Sequence, residues 1–209
     1  MSTYTGQLSQ SCISTHTIPS DGTLPHSHTS RERIRTIFTI NELNGDYNLV
    51  CAAGGILIGC RYNGIVFWLM QRKIRKSIGN YHIYEDFGGG MNASDGPIHR
   101  RDTTISDTIY REACEETNDI LSTDILDEVY YIGKTKHLYV ADSKYLMSIV
   151  VFDYVDASDK LRALFNIRNS KSPVYIEKGA TLHWMCQIPI KLLNPRIQYI
   201  TNLQKTELR

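Results

Sequence analysis

Three glutamates that could bind a metal ion lie close together in residues 111–117, which read Arg-Glu-Ala-Cys-Glu-Glu-Thr. Glu112, Glu115 and Glu116 are spaced so that, on a helix, they project within an arc of roughly 100°. Three negative charges held this close repel one another unless a cation lies among them. Hard divalent cations prefer oxygen ligands, so the spacing predicts a site for one or more of them.

A solvated acidic helix face is the simpler alternative, with Arg111 and Glu115 as an i,i+4 ion pair worth a few tenths of a kcal/mol. However, Glu112 and Glu116 fall on the same stripe as the apolar residues of the helix's first half. A carboxylate that points toward the core is costly unless it is paired or metal-bound. The glycine run at residues 88–90 lets the backbone approach a ligand closely, which favours the metal site.

Length and composition limit the classes of protein that need consideration. The chain has 209 residues, 42% apolar and 22% charged, with a net charge of +1. These values are typical of one globular domain with a tail, and they indicate no global attraction to nucleic acid or membranes. The five cysteines are an odd number without a CxxC pair, which favours reduced thiols in a cytoplasmic compartment. The sequence contains no signal-peptide pattern and no apolar run of the roughly 20 residues that would span a membrane.

The chain divides into a predicted disordered tail, residues 1–33, and one domain, residues 34–209. Residues 1–30 include thirteen Ser or Thr, too polar to offset the entropy of ordering. Asp102 is a candidate N-cap of the glutamate helix, and Asn118 suits a left-handed residue at its end. Hydrophobic patterns predict strands at 34–40, 50–58, 65–70, 81–87, 129–133, 146–155 and 182–188, and helices at 104–117, 190–193 and 196–208.

The glycines and the helix together resemble the signature of the Nudix hydrolases. That signature is a Gly, five residues, Glu, seven residues, then Arg-Glu-apolar-x-Glu-Glu-x-Gly. Residues 51–58, 66–72 and 183–189 resemble strands of the family, so the resemblance covers about residues 34–200, with its specificity concentrated in 88–118. It implies an α/β fold: an α/β/α sandwich around a mixed central sheet.

The resemblance also implies a reaction and its residues. Glu112, Glu115 and Glu116 match the glutamates that bind Mg²⁺ or Mn²⁺, and the backbone carbonyl of Gly89 is a further candidate ligand. Arg111 matches the arginine that orients them, and Arg111 and Glu115 count among the catalytic residues. The implied chemistry is attack of metal-activated water on a pyrophosphate linked to a nucleoside-like group.

The sequence departs from the family pattern in four places. Thr103 stands where the first motif glutamate is expected, Met91 replaces the usual lysine, and Asn118 replaces the final glycine. The loop between glycines and helix carries an insertion at about residues 91–101. Asp102 could substitute for the missing acid, although an N-cap role is at least as well supported. Some of the pattern is similar to Nudix members of large DNA viruses.

Residues outside the motif are candidates for the remaining roles. Glu177 resembles the loop acid that serves as general base in many relatives, and an ordinary exposed loop glutamate is an equal alternative. Asp142 is a weaker candidate. Two basic clusters could bind phosphates or an RNA backbone, or could be solvated surface. Their candidate residues are Arg72, Arg75, Arg100 and Arg101.

Two classes of function remain open at this point. The first is a divalent-metal-dependent pyrophosphohydrolase acting on a nucleotide substrate. Capped mRNA is one candidate substrate, and the small nucleotides are nucleotide sugars, ADP-ribose, dinucleoside polyphosphates and noncanonical nucleoside triphosphates. The second is a Nudix-fold module that binds nucleotide or RNA without turnover, which Thr103 and Met91 favour and the three intact glutamates oppose. The sequence leaves the number of metal ions and the oligomeric state open.

Overall fold

The computed structural model of the protein describes residues 37–39, 50–75, 81–92, 101–187, 190–195 and 197. The predicted tail at 1–33 and nearly all of the predicted helix at 196–208 lie outside these ranges. Within them, no helix is long and apolar enough to cross a membrane.

One mixed sheet forms the centre of the described chain. Its longest strands are rich in apolar and β-branched residues, which suit a sheet buried on both faces. The strands are β1 (Ile37–Thr39), β2 (Ala53–Tyr62), β3 (Ile65–Arg75), β4 (Tyr81–Glu85), β5 (Phe87–Gly90), β6 (Lys134–Val140), β7 (Tyr145–Asp153), β8 (Val174–Tyr175) and β9 (Thr181–Met185).

The sheet forks at β2, and this fork positions the site. One edge of β2 pairs in parallel with β7. The other edge is shared between two antiparallel partners: β5 pairs with its first half, Ala53–Ile56, and β3 pairs with its second half, Ile58–Tyr62. Beyond the fork, β3 continues and pairs with β4 and β9. The two arms, β5 and the far part of β3, therefore diverge beside β2.

Helix α1 (Ile105–Glu116) packs on the sheet beside the fork. Thr104 is its N-cap and forms a capping box with Asp107, which satisfies the first free amides of the helix. Ile109 and Ala113 are fully buried against the sheet. At the C-terminal end Asn118 has a φ of 50°, which confirms the prediction of a left-handed residue there. The prediction that Asp102 caps the helix is wrong, because Thr104 holds that position.

The predicted strand at 129–133 is wrong, because these residues end helix α2 (Thr123–Ile132). Val129, Tyr130 and Ile132 have good strand propensity, but burial of Ile125, Leu126 and Val129 along one helical stripe outweighs it. Strand β6 and helix α3 (Asp159–Asn166) were not predicted. The predicted helix at 190–193 is a 3₁₀ turn, Ile190–Leu192.

The two faces of the sheet carry separate apolar clusters. Alternate residues of β2 point to opposite faces, so Ile56 and Ile58 join one cluster and Leu57 joins the other. Helices α1, α2 and α3 cover the first face. Leu193 and Ile197 pack on the second. The α/β fold class with a mixed central sheet is confirmed.

Because residues 123–132 form a helix, substitutions at Val129 and Tyr131 should have unequal effects on stability, whereas a strand would give them similar ones. Val129 is fully buried and Tyr131 is 85% exposed, whereas both would share one face of a strand. We expect Val129→Ala to lower the free energy of unfolding by about 2 kcal/mol. Tyr131→Ala should change it by less than about 0.5 kcal/mol. Urea unfolding measures both, and equal losses would contradict the helix.

Candidate functional site

Glu116 lies at the centre of the fork and connects both arms to helix α1. Its Oε2 accepts hydrogen bonds from Gln71 Nε2 at 2.7 Å and from the Gly88 amide at 2.8 Å. Its Oε1 accepts from Lys73 Nζ at 2.6 Å. Gln71 and Lys73 belong to β3 and Gly88 belongs to β5, so a single carboxylate holds the two arms together.

Burial disfavours the charged form of Glu116, and its hydrogen-bond partners favour that form. The residue is only 8% exposed, and burial raises the pKa of its carboxyl above the ordinary value. Lys73, the Gly88 amide and Gln71 act in the opposite direction without cancelling the effect of burial. The hydrogen bonds therefore stabilise a carboxylate that burial alone would disfavour.

Glu112 packs directly against the backbone of the glycine run. A Cβ atom at Gly89 would collide with the Glu112 carboxylate, whereas one at Gly90 would meet no atom within 4 Å. Residue 89 must therefore be glycine for the carboxylate to lie where it does. Helix α1 and strand β5 thus bring Glu112, Glu116 and Gly89 together.

Arg111 joins the remaining carboxylates into one network. Its Nη1 donates to Glu112 Oε1 at 2.8 Å and to Glu115 Oε2 at 3.3 Å. Its Nη2 donates to the Gly90 carbonyl at 2.8 Å. The arginine thus orients two of the three motif glutamates and ties them to β5.

Asp102 anchors the other side of that arginine. Arg111 Nε and Nη2 donate to the two Asp102 oxygens at 3.1 and 2.9 Å, a bidentate pair. The Asn92 amide and the Thr108 hydroxyl donate to the same carboxylate. Burial alone would raise the pKa of Asp102, but these hydrogen bonds outweigh it and hold the pKa below its ordinary value. Asp102 therefore holds Arg111 from a position just before the helix.

The donor chemistry of the site fits a hard divalent cation. Three carboxylates share one helix face, and Gly89 leaves room for one of them against the backbone. In the arrangement described, these carboxylates face Arg111 and Lys73. Accordingly, in the part of the chain that the structure describes, no three His, Cys, Asp or Glu side chains are grouped as a metal site. The protein's own cations thus supply the positive charge among the glutamates.

Glu177 lies in a 3₁₀ turn, Glu177–Gly179, that contacts helix α1. Its Oε1 pairs with Lys178 Nζ at 3.0 Å. The hydrogen bond from Lys178 to Glu177 is the main reason that the pKa of Lys178 is raised, and Glu116 and Glu112 add to it. The charges of Glu112 and Glu116 therefore act on Lys178 in this turn. Asp142, the weaker candidate, lies in another 3₁₀ turn, Ala141–Ser143.

Three of the arginines predicted to bind phosphates, Arg72, Arg75 and Arg101, lie at different places along the described chain. Arg72 precedes Lys73 in β3 and so points to the opposite face of the sheet, where its charge helps burial to lower the pKa of His183. Arg75 is the last residue of β3, and Arg101 is exposed just before Asp102. Arg100 lies outside the described residues.

Lys73 and Gln71 are the site residues that the sequence prediction missed. Lys73 belongs to the basic stretch from which Arg72 and Arg75 were chosen instead. Gln71 is fully buried, and its amide also donates to the Asp86 carbonyl at 2.8 Å. A polar residue that follows the apolar run 65–70 was a usable signal for a buried hydrogen-bonding role.

Comparisons with known proteins give a distant likeness. No family profile and no curated protein matches the sequence. A C. elegans Ap4A hydrolase in a binary complex is 13% identical, covering 75% of this chain and 91% of its own, with a TM-score of 0.36. A second structure of a C. elegans Ap4A hydrolase is 14% identical, covering 76% of this chain and 93% of its own, with a TM-score of 0.33. The Nudix hydrolase RenU from M. smegmatis is 14% identical, covering 75% of this chain and 88% of its own, with a TM-score of 0.34. Such values are too low to show a family, an activity or a substrate for this chain.

The Asp102–Arg111 pair predicts a pH-dependent contribution to stability. A pKa lowered by folding stabilises the protein above the unfolded value, about 3.9 for Asp, and this stabilisation is lost as the pH falls further. We expect Asp102→Asn to cost about 2 kcal/mol at neutral pH and progressively less below pH 4. Urea unfolding across this range measures the difference. Asp156→Asn, an exposed position, is the control, and a gap that is constant with pH would contradict the prediction.

Proposed function

We propose that this chain is a divalent-metal-dependent hydrolase that cleaves a pyrophosphate bond in a nucleoside diphosphate-linked substrate. One observation carries the proposal. Glu112 lies against Gly89, Glu116 accepts the Gly88 amide, and Arg111 links Glu112 and Glu115 to the Gly90 carbonyl. This combination of three carboxylates, an orienting arginine and an open glycine backbone suits a metal-assisted phosphoanhydride cleavage.

The chain's own residues divide the work as follows. Glu112, Glu115 and Glu116 would hold Mg²⁺ or Mn²⁺. The bound ion would neutralise charge on the pyrophosphate and acidify an attacking water. Arg111 keeps Glu112 and Glu115 in place, and the Asp102 clamp fixes Arg111 in turn. Glu177, in the turn against α1, would accept the proton of the attacking water as general base.

A substrate panel tests the proposal directly. The full chain would be incubated with Mg²⁺ or Mn²⁺ and with capped RNA, ADP-ribose, dinucleoside polyphosphates, nucleotide sugars or nucleoside triphosphates, and products identified by mass. We expect cleavage at a pyrophosphate, abolished by a chelator. Glu115→Gln should lower the rate by about a thousandfold, since metal and charge stabilisation are lost together. Asp156→Asn, the exposed acid at the opposite end of the sheet, should leave the rate unchanged. A rate that survives the chelator would contradict the metal dependence.

The salt dependence of KM distinguishes capped RNA from a small nucleotide as the substrate. Binding through an RNA backbone releases counterions, so its affinity falls steeply as salt rises, whereas a small nucleotide makes few such contacts. We propose decapping if the capped RNA substrate is the one cleaved and its KM rises steeply with salt. A weak salt dependence with efficient cleavage of a small nucleotide would assign the enzyme to that substrate class instead.

A nucleotide-binding module without turnover is the second candidate, and one observation favours it. Each of the three glutamates is already paired with a protein cation, Arg111 or Lys73. Tight binding of a nucleotide from the same panel, with no product in either metal, would establish the binding module. Hydrolysis that disappears in Glu115→Gln would exclude it.

The packing of Glu112 on the glycine strand gives a further prediction. Gly89→Ala would force the Glu112 carboxylate aside, so we expect the hydrolysis rate to fall by about tenfold or more, a barrier increase of about 1.4 kcal/mol. Because a side chain and not the backbone moves, the free energy of unfolding should change by less than about 1 kcal/mol. Gly90→Ala adds a methyl group to open space and should lose much less activity. Equal losses in the two variants would contradict this role of Gly89.

A further inference from the structure

Lys73 occupies an unusual place for a lysine, between two buried carboxylates on the α1 side of the sheet. Its Nζ is 2.6 Å from Glu116 Oε1 and 3.7 Å from Glu85 Oε2. Glu85 is 2% exposed and also accepts a hydrogen bond from Asn194 at its other oxygen. The lysine therefore has two anionic partners, one in the candidate site and one just outside it.

The three donors to Glu116 are not equivalent. Gln71 and the Gly88 amide are neutral, and both bind Oε2. Lys73 binds Oε1 and is, among the described residues that donate to Glu116, the one with a full positive charge. A second cation at Oε1 would repel the ammonium at close range, and this repulsion is strong where water is largely excluded. Oε1 can therefore serve the ammonium or a divalent ion, but not both at full strength.

We propose that Lys73 is a built-in counterion of Glu116 that competes with the divalent metal and so sets the metal affinity of the site. The inference rests on the proposed function for the identity of the metal. When the ion binds, Oε1 of Glu116 is released by the lysine, and the ammonium moves to Glu85. The flexible four-carbon stem of lysine permits this short movement, and the Gln71 and Gly88 hydrogen bonds keep Glu116 in position.

Lys73 is thus a positioning residue, and its effect on binding has a distinctive sign. Most substitutions in a binding site weaken binding, whereas removal of a competing cation strengthens it. Loss of Glu85, which receives the displaced ammonium, should have the opposite effect. A lysine with only a structural role would not produce this pair of opposite changes.

Mn²⁺ binding to the full chain, followed by electron paramagnetic resonance of the free ion, tests the proposal without substrate. We expect Lys73→Met to bind Mn²⁺ about tenfold more tightly than the unchanged protein, or about 1.4 kcal/mol. Lys73→Arg keeps the charge and should stay near the original affinity. Glu85→Gln should bind several-fold more weakly. Lys160→Met, which removes an exposed lysine of α3, is the control for net charge and should bind as the unchanged protein does.

A thermal melt supplies a second measurement. Without metal, Lys73→Met should melt below the unchanged protein because Glu116 loses its counterion, and added Mn²⁺ should close this gap because a ligand stabilises the state it binds. Unchanged or weaker Mn²⁺ affinity in Lys73→Met overturns the proposal, as does tighter binding in Lys73→Arg. If Lys73→Met does not fold, the Glu85→Gln result decides, and an affinity equal to that of the unchanged protein overturns the proposal.

These outcomes are distinct from those of the hydrolysis assay. Tighter Mn²⁺ binding by Lys73→Met in a chain that cleaves no substrate supports the competition and contradicts the enzyme. Metal-dependent hydrolysis together with identical Mn²⁺ affinities in all variants supports the enzyme and overturns the competition. Absence of Mn²⁺ binding in every variant overturns both.

Discussion

The buried carboxylate of Glu116 is the constraint on which the described structure depends. An ionised group removed from water is costly unless hydrogen bonds and an opposite charge compensate it. Here the compensation comes from β5, through the Gly88 amide, and from β3, through Gln71 and Lys73. Because these partners sit on both arms of the fork, satisfying one charge also fixes the separation of the arms and the position of the last turn of α1.

The other end of α1 is fixed by a second polar arrangement. Thr104 and Asp107 satisfy the first amides of the helix, and Asp102 reaches past them to hold Arg111. The helix is therefore restrained at its start by the cap and clamp, and at its end by Glu116. Rotation about its axis would break both sets of contacts, which is how side chains on one face keep their direction toward β5.

Prediction from sequence worked best where local pattern and tertiary contacts agree. The helix at 104–117 and the common face of its glutamates follow from periodicity, and the structure confirms the helix as Ile105–Glu116. It failed at Val129–Ile132, where strand propensity is high but the neighbouring residues pack as a helix. It named Arg72 and Arg75 from the basic stretch and left out Lys73. Adjacent strand residues point to opposite faces, so local sequence did not indicate that Lys73, and not Arg72, shares the face of the carboxylates.

The capping role assigned to Asp102 failed for a related reason. Asp102 lies two residues before the actual cap, Thr104, and in the folded chain its carboxylate pairs with Arg111. The tertiary partners of a polar side chain are not encoded in local spacing. The contact between Asp102 and Arg111 forms only once the helix is packed.

The partners of Glu116 lie far from it along the chain. The Gly88 amide, Lys73 and Gln71 precede it by 28, 43 and 45 residues. Contacts of such sequence separation form only after the loss of chain entropy on loop closure has been met. The helix can begin from its own capping box, but the carboxylate site cannot be complete until the forked sheet has assembled. Acquisition of the site is thereby tied to the slow, long-range part of folding, and a fragment that contains α1 alone would carry the motif without the arrangement that gives it meaning.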